Sequence, residues 1–131
     1  MNKSELEELL INFSVLILEI TNNIYDKRSG NHLSNQLIRS GTSASLNYGE
    51  AQSAESRKDF IHKIKIVLKE LRETYVCLKI IKRAKLYKLN DKIEKTLSEN
   101  SELISIFVKS VETAQKNLQY TIKDTSKIVN R

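Results

Sequence analysis

Apolar residues recur along this chain every three or four positions, in four stretches parted by short polar breaks, the spacing of one face of an α-helix. The first stretch runs from about Ser4 to Asp26, with Leu6, Leu9, Phe13, Ile17, Ile20 and Ile24 along one side. Ser4-Glu5-Leu6-Glu7 reads as a capping box, in which serine and glutamate satisfy each other's end amides. Lys27 to Asn31 is a polar break containing Gly30. The second stretch, about Leu33 to Ser53, has an inner face of Leu33, Leu37, Ser40, Gly41, Ala44, Tyr48 and Ala51. Glycine and serine weaken a lone helix, so neighbours must hold it, and small side chains let a neighbour come close. The third, about Ser56 to Lys85, has Ser56 as N-cap and a stripe of Phe60, Ile64, Val67, Leu68, Leu71, Tyr75 and Leu78. Tyr87 to Asn90 reads as a connection. The fourth begins near Asp91, breaks around Ser98 to Ser101, and continues through Ile104, Phe107, Val111 and Leu118 towards Val129. Four amphipathic helices with short connections predict an all-α fold, an antiparallel up-down-up-down four-helix bundle.

Composition narrows this picture. The 131 residues suit one domain over 1–131, and the absence of proline with only three glycines leaves little material for hairpin turns. A single cysteine, Cys77, excludes an internal disulfide and fits a reducing cytoplasm. The longest apolar run, Leu9 to Leu18, is interrupted by Asn12 and Ser14 and falls short of the roughly 20 residues a bilayer span takes. The acidic opening, with Glu5, Glu7 and Glu8, is unlike a secretory signal. The expectation is a cytoplasmic protein with no membrane partner.

Two faces exceed what a monomer needs. In the first segment Ile11, Val15, Leu18 and Tyr25 fall opposite the Phe13 side, and apolarity on both sides of a helix implies burial on both. Ile66, Cys77 and Ile80 likewise lie off the core stripe of the third segment. These residues predict a homo-oligomer interface, which cyclic assembly would bury. Charge is just as unevenly spread. Arg57 to Lys88 holds eleven basic residues against three acids, whereas the stretch before it is net acidic. Lys58, Lys65, Lys69, Arg72, Lys79 and Arg83 fall within a sector of about 80°, with Asp59, Glu70 and Glu73 on the other flank. A solvated face that keeps the protein soluble is the plainer alternative. Segregated signs on a rigid helix point instead to a polyanion, with salt-sensitive contacts to phosphates.

No catalytic constellation stands out. Cys77 lies between Val76 and Leu78 as a small hydrophobe. His32 and His62 are far apart, and no zinc spacing or glycine-rich phosphate loop occurs. The reading is of a protein that is not an enzyme and needs neither metal nor cofactor. The outer side of the second segment gathers Arg39, Ser43, Asn47 and Glu50. Arg39 and Glu50 are three helical turns apart and cannot pair within one helix, so ion pairs to other helices or subunits are favoured over a recognition patch.

Gln36-Leu37-Ile38-Arg39-Ser40-Gly41-Thr42-Ser43, Asn47-Tyr48-Gly49-Glu50-Ala51 and Ser56-Arg57-Lys58-Asp59-Phe60-Ile61-His62-Lys63 form a spaced string of small and polar residues. With Ile66, Lys69-Glu70, Glu73-Thr74 and the apolar stretch ending near Leu86, the string resembles the four-helix-bundle family named for proteins encoded in intervening sequences of bacterial 23S ribosomal RNA genes. The resemblance covers about residues 10–120. It implies a ring-like homopentamer, and a relationship to the accessory protein of diversity-generating retroelements, which binds nucleic acid and a reverse transcriptase. This chain has Arg39-Ser40 where two arginines are frequent, and no proline before Asn47. Two functions follow as expectations. One is an oligomeric scaffold binding RNA or DNA backbone through the basic flank. The other is a protein-interaction adaptor, such as a reverse transcriptase accessory subunit, using the same face.

Overall fold

The computed structural model describes residues 1–88 and 90–129, and among them it contains four helices and no strand: α1 (Lys3–Thr21), α2 (Arg28–Gln52), α3 (Arg57–Arg83) and α4 (Asn90–Val129). Leu89, within the expected connection, lies outside the described residues. Each end is set by local chemistry. The capping box is Asn2 and Glu5 rather than Ser4 and Glu7, because asparagine accepts an end amide as well as serine does. Asn2 Oδ1 takes the Glu5 N–H at 2.8 Å. The helix therefore starts at Lys3, one residue before the expected cap, and ends at Thr21, short of Asp26. At α2 no side chain caps the first turn, which is why a start at Arg28 leaves little trace in the sequence. Ser56 caps α3 as expected, accepting from the Asp59 N–H at 3.1 Å.

The end of α3 is a Schellman motif. Leu86 N–H reaches the Ile81 carbonyl at 3.1 Å and Lys85 N–H the Lys82 carbonyl at 3.1 Å, and both Ile81 and Leu86 are buried. Lys85 takes the left-handed conformation this motif requires, with φ 55°. The chain then passes beside the α1–α2 connection, where Tyr25 N–H bonds the Leu86 carbonyl at 2.9 Å.

The helices pack in the order α1, α2, α3, α4, and α4 closes back on α1 along the thinnest seam, forming a four-helix bundle. Particular side chains join neighbouring helices. Ser45 bonds Leu10 and Gly41 abuts Ile17; Ser40 meets Thr74 and Glu50 meets Lys63; Lys82 pairs with Glu94 and Leu71 meets Asn100. Phe13, Ile17, Leu37, Val67, Leu71, Leu78, Ile93 and Phe107 fill the shared core, and the Tyr48 ring meets Phe107 edge-on across the diagonal at 5.5 Å.

The expected break near Ser98 to Ser101 does not occur, and α4 runs on for 40 residues. Asn100, within the expected break, is fully buried against α3. Its amide nitrogen faces the Leu71 carbonyl at 3.0 Å and its oxygen the Tyr75 N–H at 3.1 Å, so both polar atoms are satisfied and the helix continues. Leu9, expected inside, is exposed, and Leu10 takes its place in the core.

At Gly41 the backbone of α2 comes close to α1. Ser14 Oγ donates to the Gly41 carbonyl at 2.9 Å, and Ser45 Oγ donates back to the Leu10 carbonyl at 2.9 Å. A Cβ added at Gly41 would stand 2.8 Å from Ile17 Cγ1 and Cγ2, and 3.2 Å from its Cβ. Ile17 is fully buried and β-branched, so it cannot swing aside. Gly41→Ala should therefore destabilise by about 1 kcal/mol, overpacking outweighing the helix propensity that alanine gains. Urea unfolding checks this, and Ile17→Ala, which removes both γ carbons, should cost less in the Gly41→Ala chain than in the wild type. A more stable Gly41→Ala protein would contradict the close approach.

Candidate functional site

The basic residues of α3 lie together on its outward side. Lys58, Lys65, Lys69, Arg72 and Arg83 are exposed and Lys79 is half-buried. No ion pair engages any of these six among the described residues. Lys79 instead holds its ammonium 5.4 Å from the centre of the Tyr75 ring. The acids expected on the opposite flank are divided. Asp59 stands in the first turn, where its backbone N–H donates to the Ser56 cap, while Glu70 and Glu73 turn towards α2. The cationic face also contains an apolar residue that sequence reasoning passed over. Val76 is 55 % exposed and falls at about the middle of the cation sector at 100° per residue.

The apolar row of α1 is open to solvent in the single chain, with Ile11, Val15 and Leu18 between 40 and 48 % exposed. Tyr25 does not extend that row, because α1 ends at Thr21 and Tyr25 belongs to the connection. It is exposed there beside Lys27, whose ammonium lies 5.8 Å from its ring centre. Ile80 is exposed, but Ile66 is half-buried. Cys77 is a plain correction: it turns inward and donates to the Leu33 carbonyl at 3.6 Å. Burial first, and the Glu73 carboxylate second, push its thiol up to about 11, so it stays protonated and unreactive near neutral pH.

His32 and His62 are both exposed, on different helices. Among the described residues no three His, Cys, Asp or Glu side chains gather as a metal site, and no helix is long and apolar enough to cross a membrane. Between α3 and α4 lies a groove of about 670 Å³, lined by Tyr75, Lys79 and Arg83 on one wall and by Ser98, Ser101 and Ser105 on the other. The serines fall at i, i+3 and i+7 of a continuous helix, a spacing hidden when this stretch reads as a break.

Arg39, Asn47 and Glu50 are structural. Arg39 reaches from α2 to α3, meeting Glu70 at 3.1 Å and Glu73 through its other terminal nitrogen. Glu50 pairs with Lys63 at 2.5 Å, and Asn47 donates within its own helix to Ser43 at 2.9 Å. The ion-pair reading of Arg39 and Glu50 is the one the geometry carries. The Arg39 hydrogen bond holds the Glu73 carboxyl below its ordinary value, with burial opposing and Lys69 adding a weaker pull. In return Glu73 raises the Arg39 guanidinium. A carboxyl lowered on folding stabilises fully above its unfolded pKa, and that stability is lost as pH falls through the folded value. Arg39→Met should thus cost on the order of 1 kcal/mol near neutral pH, since the Arg39 and Glu73 side chains are 49 and 42 % exposed. The gap to wild type should close in acid below the glutamate range. Urea midpoints of both proteins near pH 7 and near pH 3 test it, and a gap that persists in acid would contradict the pairing.

Comparison with known proteins agrees with this architecture. No curated protein matches the sequence. A crystal structure of a protein of unknown function, from the S23 ribosomal protein family of Bacteroides thetaiotaomicron VPI-5482, is similar at a TM-score of 0.77 and 28% identity. The match covers 86% of this chain and 99% of that one. The sequence model of the 23S rRNA-intervening sequence proteins matches residues 3–109, which take in the α2 motif, the basic helix and the first half of α4; the chain belongs to that family.

Proposed function

We propose that this protein is a non-enzymatic, cytoplasmic scaffold that binds the phosphate backbone of RNA or DNA through the outward face of α3. The observation that carries this reading is the set of cations at Lys58, Lys65, Lys69, Arg72 and Arg83 that form no ion pair among the described residues, on a helix whose Glu70 and Glu73 are turned towards α2. Unpaired cations fixed along one rigid side sum their potentials, and phosphates displace counterions there. In the same reading the bundle is antiparallel, up-down-up-down, and assembles through the apolar row of α1, with Ile80 and Ile66 on the facing subunit. A homopentamer is the form that the family resemblance implies. Several copies on one strand would turn a modest patch into useful avidity.

A protein partner has one observation of its own. Val76 and Ile80, 55 and 46 % exposed, sit among the cations, and a mixed apolar and basic surface also suits an acidic protein. A polymerase-like partner such as a reverse transcriptase is the adaptor version of the proposal. Co-purification with and without nuclease separates the two, because a protein partner survives nuclease.

Changing Lys65, Lys69 and Arg72 together to glutamate should abolish retention on RNA or DNA while leaving the molecular mass by light scattering unchanged. Undiminished retention at low salt contradicts the assignment. Ile11→Asp with Val15→Asp should do the reverse for assembly, giving a folded monomer, since two carboxylates cannot be buried unpaired in an apolar contact. A wild-type chain that is already monomeric in dilute solution removes the scaffold from the proposal.

A further inference from the structure

The groove between α3 and α4 differs from the rest of the basic face. Elsewhere the cations stand on an open ridge, but here two of them overhang a concavity of about 670 Å³, within the range that holds a small ligand. Lys82, on the same wall, is engaged by Glu94, which leaves Lys79 and Arg83 as the groove's free cations. The opposite wall presents the hydroxyls of Ser98, Ser101 and Ser105. Ser105 donates to the Ser101 carbonyl at 3.3 Å, while the Ser98 and Ser101 hydroxyls make no hydrogen bond among the described residues. On the same wall as the cations lies Tyr75, half-buried, with the Lys79 ammonium 5.4 Å from its ring centre. The second carboxylate of the lining, Glu102, also borders the neighbouring hollow between α1 and α4 and marks the groove's edge.

An aromatic ring beside two cations, faced by free hydroxyls, matches the parts of a nucleotide. The phosphate takes the cations, the base takes the ring, and the sugar and base edges take the hydroxyls. We infer that this groove seats one nucleoside-phosphate unit of a single strand, with its phosphate between Lys79 and Arg83 and its base against Tyr75. The inference rests on the nucleic-acid reading of α3 and narrows it: a paired base cannot leave its stack to enter the groove, so single strands are bound in preference to duplexes.

Fluorescence anisotropy with a labelled oligouridylate and with a labelled duplex tests this, using the whole chain. Tyr75→Leu, and separately the uncharged blocking pair Ser98→Gln with Ser101→Gln, should each weaken the single strand about tenfold or more, the loss of one stacked base or of its pocket. Duplex binding should stay within about twofold, since a duplex meets only the ridge cations. The serine pair is exposed on α4, so it tests the groove even if Tyr75→Leu unfolds the chain. If both variants bind the single strand like wild type while glutamates at Lys65, Lys69 and Arg72 abolish binding, the groove assignment fails and the basic-face reading stands. If that charge reversal also leaves binding intact, both fail. Equal loss for strand and duplex also overturns the groove. Uridine monophosphate that displaces the oligonucleotide at comparable concentration overturns the strand in favour of a free nucleotide.

Discussion

The close seating of α2 between its neighbours governs the rest of this molecule. Its inner face offers Ser40, Gly41 and Ala44 where a bundle helix would ordinarily offer leucine. Such a helix buries little apolar area of its own and depends on near contact, in which its backbone carbonyls and hydroxyls become part of the seam. Ser14 and Ser45 exchange hydrogen bonds with the opposite backbones on the α1 side. On the α3 side the Thr74 hydroxyl lies 2.8 Å from both Ser40 Oγ and the Glu70 carbonyl.

That proximity has an electrostatic result. Because α2 and α3 approach closely, the Arg39 side chain spans the seam and takes up Glu70 and Glu73. Glu70 and Glu73 are thereby drawn to one edge, and among the described residues the cations on the outer side of α3 form no ion pair. The sequence already places the two signs on different flanks of α3, and the bundle fixes Glu70 and Glu73 against α2. The packing that holds α2 and the field that α3 projects are therefore one arrangement. Apolar residues left outside it, on α1 and at Val76 and Ile80, mark where further copies or partners can add contact.

Much of this was legible in the sequence because it rests on periodicity. The four helices, the small inner face of α2 and the sector of cations all follow from counting at 3.6 residues per turn. What escaped was decided by partners far along the chain. Ser14 looked like an interruption in an apolar run, yet a serine that bonds an opposing carbonyl belongs in the core. Asn100 looked like a helix break for the same reason, and the serine groove beside it went unseen. Cys77 was misplaced because the buried side of α3 is wider than one stripe: it faces α2 and α4 together, and so takes in Glu70, Thr74 and Cys77. Tyr25 lies beyond a helix that stops at Thr21, at an end carrying no glycine or proline to announce it.

The claim on which the functional account turns is that phosphates meet the unpaired cations of α3. Its most direct measurement is the salt dependence of affinity for a single-stranded oligonucleotide, plotted as log K against log salt. Each phosphate contact on a single strand contributes a slope of about −0.7, so several cations acting together predict a straight line between roughly −2 and −4 per protomer. A flat line, with affinity indifferent to salt, would contradict the account.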